Sequence, residues 1–175
     1  PTQTKETQKV EREIKKLIDK LHIRIADFRR HTDGIKTIAV RQSNATGEIQ
    51  VTLITIGKKI KDLKLLASHI MKLPNVVSVF QNETQWQNPQ VWGNKTIKLF
   101  GKSHITEEIL GKKFKLSPRA FFQLNPEQTT TLYSEALKYL DLTPDQTLID
   151  AYAGVGTLGI LASDQVRLVI GIESI

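Results

Sequence analysis

Asp150 closes the apolar run Leu148-Ile149, and after Ala151-Tyr152-Ala153 comes Gly154-Val155-Gly156-Thr157-Leu158-Gly159. Further on, Arg167-Leu168-Val169-Ile170-Gly171-Ile172 leads to a second acid, Glu173. The pattern reads as strand, glycine loop, helix and a second parallel strand. Gly154 and Gly156 permit a sharp turn and let backbone approach a ligand where a β-carbon would clash. Glu173 falls at the C-terminal end of the second strand, where open α/β sheets bind ligands. A carboxylate there can accept both hydroxyls of a ribose. Two ligand classes fit. Gly154, Gly156 and Gly159 match G-x-G-x-x-G, with Glu173 at roughly the ribose-binding spacing of a dinucleotide site. Asp150, ending the strand as an acid, suits a cationic ligand better than a pyrophosphate. The bland alternative is a glycine turn between ordinary strands.

The elements before this stretch must position it. The chain has 175 residues, enough for one domain or one plus a piece of another. It is 39% hydrophobic and 25% charged, the balance of a soluble globular protein. No apolar run approaches the ~20 residues that span a bilayer. The N-terminal residues lack a signal-peptide core, so no membrane partner is expected and a cytoplasmic location is. With no cysteine there is no disulfide framework, thiolate metal site or cysteine nucleophile. No metal site is expected. Residues 1–117 carry 22 Lys/Arg against 11 Asp/Glu, whereas residues 118–175 carry 3 against 7. A basic front half points to a polyanion, most simply RNA or DNA. A solvated lysine-rich surface is the alternative.

Thr7 to Leu21 has the periodicity of a helix, with Val10, Ile14, Leu17, Ile18 and Leu21 on one stripe and lysines opposite. Arg29, Arg30 and His31 fall in a polar connection. Ile35–Arg41 and Ile49–Thr55 read as a hairpin. In the first strand Ile35, Thr37, Ala39 and Arg41 share one face, and Ile38 and Val40 the other. In the second, Ile49, Val51 and Leu53 alternate onto one face. Lys61–Lys72 is a second helix, with His69 at the edge of its stripe. Val76–Phe80 is a third strand. Gln81–Pro89 is polar and reads as a loop, in which Trp86 stacks on a base or, more simply, caps the core. No second aromatic is spaced to extend a stacking platform. Short strands follow at Thr96–Phe100, Ser103–Glu107 and Lys112–Lys115. Asn125 and Pro126 open a helix running to about Leu140, with Leu132, Ala136, Leu137 and Leu140 inward.

Ser117-Pro118-Arg119-Ala120-Phe121-Phe122-Gln123-Leu124-Asn125, then Asp150-Ala151-Tyr152-Ala153-Gly154-Val155-Gly156-Thr157, then Gly171-Ile172-Glu173 together resemble the RNA (uracil-5-)-methyltransferase family. The D-x-x-x-G-x-G pattern alone resembles the class I methyltransferase site for S-adenosylmethionine. The hairpin from Gly34 to Ile49 resembles the central domain of the Gram-positive ribosomal RNA members. The resemblance implies an α/β chain in two parts. Residues 1–116 would form a basic, antiparallel α+β central domain in contact with RNA. Residues 117–175 would open a Rossmann-like methyltransferase domain. By the same resemblance Gln123, Tyr152 and Glu173 match cofactor-binding positions, joined by Asp150, Gly154, Gly156 and Thr157 in the loop. Gln123 would hydrogen-bond the cofactor, Tyr152 pack beside it and Glu173 take its ribose. Ala153 departs from the cysteine of many relatives, a small-for-small change.

The implied cofactor is S-adenosylmethionine and the implied partner is RNA, 23S ribosomal RNA first and transfer RNA second. The family's cysteine nucleophile and general base lie well downstream of the ribose acid, and this chain ends at Ile175, two residues after Glu173. Both catalytic groups are therefore expected downstream of Ile175. The resemblance implies an internal fragment, inactive alone, with no catalytic residue of its own. In the family's chemistry a thiolate adds to carbon 6 of uracil and makes carbon 5 nucleophilic. Carbon 5 takes the methyl, a base removes its proton, and the thiolate leaves. Two other readings remain: a nucleotide-dependent oxidoreductase using the same glycine loop, and a non-enzymatic RNA-binding module. Sequence leaves the oligomeric state open.

Overall fold

The computed structural model describes residues 4–86, 89–123 and 125–174. Thr4 accepts from the Thr7 amide at 3.1 Å and opens helix α1 (Lys5–Lys20). Its stripe buries Val10, Ile14 and Ile18, and Lys15 pairs with Glu11 at 2.7 Å one turn away on the wet face. The chain divides into two compact units, one ending at Ile105 and the other starting at Thr106.

The first unit is an α+β sheet in the order β1-β2-β3-β4: β1 (Gly34–Gln42), β2 (Ile49–Ile56), β3 (Val76–Thr84) and β4 (Lys95–Gly101). The β1–β2 and β3–β4 ladders are antiparallel; the middle ladder, β2–β3, is parallel. Helix α2 (Leu63–Ile70) supplies the crossover a parallel pair needs. All eight residues of β2 are buried, as befits a strand with a neighbour on each edge. Ile49, Val51 and Leu53 join Val10, Ile14, Ile18, Leu63, Leu66, Ile70 and Val79 in one core, so both helices pack on that side.

Two details correct the sequence reading. Ile35 shares the core with Ile38 and Val40 rather than opposing them. The cause is a bulge: Ile35 faces Thr55 and Thr37 faces Ile54, so Lys36 is an extra residue and the alternation slips by one. And β3 does not stop at Phe80. Gln81, Asn82 and Thr84 continue it as buried residues. Burial of these polar groups is tolerable because they are bonded. The Asn82 amide donates to Gly93 O at 3.0 Å and Thr96 Oγ1 at 2.9 Å, and accepts from the Gly93 amide at 2.7 Å. Gln81 donates to Thr55 Oγ1 at 2.9 Å. The loop expectation for Gln87 and Asn88 lies outside the described residues.

The hairpin strands β5 (Ile105–Ile109) and β6 (Lys112–Leu116) follow, and all of the hairpin but the first residue of β5 belongs to the second unit. Helix α3 (Pro126–Leu140) starts where expected, with Asn125 Oδ1 accepting from the Gln128 amide at 3.3 Å. Its stripe differs from expectation: Leu132 and Leu140 are exposed, while Ala136 and Leu137 are half-buried. A helical period sets which residues share a face, not how much protein lies opposite that face. Strand β7 (Thr147–Ala151), helix α4 (Thr157–Ala162) and strand β8 (Leu168–Ile172) complete the unit, β7 and β8 pairing in parallel.

Candidate cofactor-binding site

Asp150 and Glu173 stand at the C-terminal ends of β7 and β8, on either side of the glycine loop. Two residues of that loop require glycine for different reasons. Gly154 has φ +56°, and a β-carbon there would meet nothing within 4 Å. Its space is open to a ligand, and its backbone is one that side chains rarely adopt. Gly159 sits inside α4, where a β-carbon would come within 2.8 Å of Val169 Cγ1. It lets the helix lie close on β8. Gly156, at φ +76°, is the cap from which α4 starts.

The two acids hold this loop in different ways. Asp150 Oδ2 accepts from the Gly159 amide at 3.0 Å and so ties the end of β7 to the first turn of α4. Glu173 Oε2 accepts from the Gly154 amide at 2.7 Å, and its Oε1 from the Ser174 amide at 2.7 Å. These two backbone bonds hold the Glu173 carboxylate against the glycine loop. The Ala153 amide donates to Ile172 O at 3.0 Å and draws the loop toward the end of β8.

Tyr152 is the outlier. It holds φ +62°, a conformation uncommon for a residue with a side chain, and it is 94% exposed. Strained residues of this kind persist where the surroundings fix them, and they concentrate at binding sites. Thr157 is buried in the first turn of α4. Gln123 is exposed in the segment before α3 and, among the described residues, makes no hydrogen bond to the loop. The structure thus brings Asp150, Gly154, Gly156, Thr157 and Glu173 into one bonded loop. It leaves Tyr152 projecting from that loop and Gln123 bonded to none of it. Ile175, beyond which the nucleophile and base are expected, lies outside the described residues. Among the described residues no group of three or more His, Cys, Asp or Glu is placed to hold a metal ion.

A second cluster escaped the sequence reading. Trp86 is half-buried just past the end of β3, edge-on to Phe28 with ring centroids 5.0 Å apart, and 5.6 Å from the His31 ring. The fold supplies the second aromatic that local spacing did not. The available signal was Phe28-Arg29-Arg30-His31, an aromatic inside a basic run in a connection.

No family model matches the chain. Among curated proteins it is 99% identical, over all 175 residues, to a protein of Lactobacillus johnsonii named an uncharacterized RNA methyltransferase, of which it covers 38%. It is 45% identical over 170 residues to a Lactiplantibacillus plantarum protein of the same name, covering 97% of this chain and 35% of that one. The chain therefore spans little more than a third of the relatives it matches. Among solved structures, the Pyrococcus abyssi tRNA (uracil-54, C5)-methyltransferase in complex with S-adenosyl-L-homocysteine aligns with TM-score 0.72 over 93% of this chain and 38% of that one, at 22% identity. That likeness is one of fold. Over its whole length the chain is thus similar to a segment of bacterial proteins named RNA methyltransferases.

Proposed function

We propose that the protein to which this chain belongs transfers a methyl group from S-adenosylmethionine to carbon 5 of a uridine in RNA, and that this chain contributes the ribose-binding edge of the cofactor site. The observation that carries the reading is the bond from the Gly154 amide to Glu173. An anionic acceptor thereby stands beside an open glycine at the C-terminal ends of two parallel strands. The donor set fits the cofactor. Glu173 is exposed and directed by two amides, so it can take a ribose diol. Tyr152 offers an exposed ring beside it for an adenine or an aliphatic chain. Asp150, an acid at the end of β7, suits a ligand of net positive charge better than a pyrophosphate, which supports a sulfonium cofactor over a dinucleotide. Gln123 is proposed to reach the same ligand from the segment before α3.

When bound, S-adenosylmethionine supplies an electrophilic methyl carbon on a sulfonium sulfur. The residues of this chain bind and orient. Glu173 fixes the ribose, and Asp150 keeps α4 in place so that the loop amides hold their direction. Uracil carbon 5 is a weak nucleophile until a thiolate has added at carbon 6, and this chain has no cysteine to do so. We therefore assign the nucleophile and the proton-removing base to other parts of the protein, downstream of Ile175, and predict that residues 1–175 alone transfer no methyl group. Residues 1–116 are proposed to contact the RNA, with 23S ribosomal RNA the first substrate to try, and residues 117–175 to serve the cofactor.

The test uses full-length protein and RNA transcripts carrying tritium at carbon 5 of uridine. Methylation at that carbon displaces the label into water, whereas methylation at any other atom does not. Tritium release from 23S ribosomal RNA, lost on Glu173→Ala, is the expected result. Methyl incorporation without tritium release would overturn the carbon 5 assignment. Release from transfer RNA only would move the substrate.

A further inference from the structure

The Phe28 and Trp86 cluster lies in the first unit and takes no part in the cofactor loop. It is built, not incidental. Asp27 and Thr32 exchange both backbone hydrogen bonds, at 3.2 Å each, which closes a short turn over Phe28-Arg29-Arg30-His31. Asp27 Oδ1 accepts from the Arg29 amide at 2.9 Å and the Arg30 amide at 3.2 Å, tying down the tip from inside. His31 is held at φ +51° to complete the reversal. The base of the turn is fixed by Gly34. A β-carbon there would fall 2.5 Å from Arg24 O, so only glycine lets residues 24–26 lie against β1. The Ala26 amide then donates to Ile35 O at 3.0 Å and the Ile35 amide to Arg24 O at 2.9 Å.

This fixed turn exposes what a core would bury. Phe28 is 55% exposed although it touches Trp86, and neither ring belongs to the hydrophobic core. Cations flank the cluster, one in space and two in sequence. Lys36 Nζ stands 6.0 Å from the Phe28 ring centroid, and it is the residue that the β1 bulge inserts. Arg29 and Arg30 follow Phe28 directly. The Arg30 side chain is 83% exposed, and its approach to Asp27 is long, at 3.8 Å. Exposed aromatic faces set among cations are the chemistry of single-stranded nucleic-acid binding, in which bases stack and phosphates meet Arg and Lys. Trp86 also walls a cleft of about 900 Å³ that contains Asp33, Glu83, Lys58 and Lys95, with Lys95 paired to Glu83 at 3.4 Å. The two carboxylates and two ammonium groups of the cleft balance, so the excess of cations lies on the turn side, with Arg29, Arg30 and Lys36, and the backbone is placed there.

We propose that Phe28 and Trp86 form a stacking site for an unpaired nucleotide of the RNA, its phosphates held by Arg29, Arg30 and Lys36. The site anchors the RNA on the first unit. This rests on the RNA part of the reading above and not on the methyl transfer.

The experiment measures binding of full-length protein to a single-stranded oligoribonucleotide across a salt series, for the parent, Phe28→Ala, Phe28→Leu and the pair Arg29→Gln with Arg30→Gln. Stacking is worth about 1–3 kcal/mol per base, so Phe28→Ala should weaken binding roughly 5- to 150-fold with an unchanged salt slope. Phe28→Leu keeps an apolar side chain against Trp86 but removes the ring face, and should weaken binding in the same direction. The Arg pair should flatten the slope by about 0.7 for each phosphate no longer neutralised. S-adenosylhomocysteine binding should be unchanged in all of them. Binding by Phe28→Leu within about twofold of the parent, at an unaltered melting temperature, would overturn the proposal, since a stacked base is worth more than that. So would equal weakening for a duplex and a single strand. If tritium release fails but Phe28 still governs RNA affinity, the uridine reading falls and this site stands. If release succeeds and Phe28 is silent, the reverse holds.

Discussion

The described residues contain two strand-helix-strand crossovers with parallel strands, β2-α2-β3 and β7-α4-β8, and they differ in what surrounds them. In the first, β2 is buried along its whole length, with β1 on one edge and β3 on the other. In the second, β7 and β8 pair only with each other among the described residues. Ile149 of β7 is 61% exposed, Ile172 of β8 is 56% exposed, and Leu168 and Ile170 are exposed with them. Both pairs of strands are rich in apolar residues. Local pattern therefore sets the strand, and neighbouring elements set what the strand contributes to stability. The buried crossover supports the first unit's fold, whereas the exposed one carries the candidate cofactor loop at its strand ends.

The comparison predicts unequal costs for equal truncations. Leu53→Ala in β2 removes a fully buried side chain and should cost about 2–5 kcal/mol, read as a lowered denaturation midpoint. Ile149→Ala in β7 should stay within about 0.5 kcal/mol in the 175-residue chain, as surface changes do. Similar losses at both positions would break the contrast. Amide exchange should separate the units the same way. Residues 147–172 should open at lower free energy than residues 49–56 and 76–84, and equal protection would contradict it.

Next in size is Asn82→Leu. The change strands the Gly93 amide and the Gly93 and Thr96 acceptors, for a cost of about 1–3 kcal/mol in the first unit. The smallest effect belongs to the second unit. Lys112 Nζ bonds Asp164 Oδ2 at 2.5 Å on the surface, and this holds the Asp164 carboxyl below its ordinary value near 3.8. A lowered carboxylate stabilises the fold above its unfolded pKa, and that contribution is lost as pH falls through the folded value. Lys112→Ala should therefore leave stability near neutral pH slightly lower and make its acid loss below about pH 4 shallower. An acid limb as steep as the parent's would dismiss the pair.

One half of this was legible in the sequence and the other was not. Helix α1, the β1–β2 hairpin and the Asn125 cap follow from period and turn chemistry, which are local. The loop from Asp150 to Gly159 with Glu173 was legible because its residue types answer to backbone geometry: left-handed turns and a close helix–strand approach. What stayed hidden is long-range. Gln81, Asn82 and Thr84 look like a loop until β2 on one side and residues 93–97 on the other arrive to pair with them. The slip at Lys36 depends on pairing with β2. Phe28 and Trp86 meet only because Gly34 lets an otherwise irregular segment lie against β1. Leu132 and Leu140 lie on the expected helical stripe but gain no cover, which periodicity does not specify.

The cofactor assignment of Glu173 is tested most directly by calorimetric titration of S-adenosylhomocysteine into full-length protein and its Glu173→Ala form, with a nicotinamide dinucleotide as the comparison ligand. Hydrogen bonds to a charged group are worth about 1.5–3 kcal/mol, so the substitution should weaken S-adenosylhomocysteine binding by about tenfold or more. The melting temperature should be close to the parent's, and the nicotinamide ligand should bind neither form. Unchanged S-adenosylhomocysteine affinity in Glu173→Ala, or preferential binding of the dinucleotide, would contradict the account.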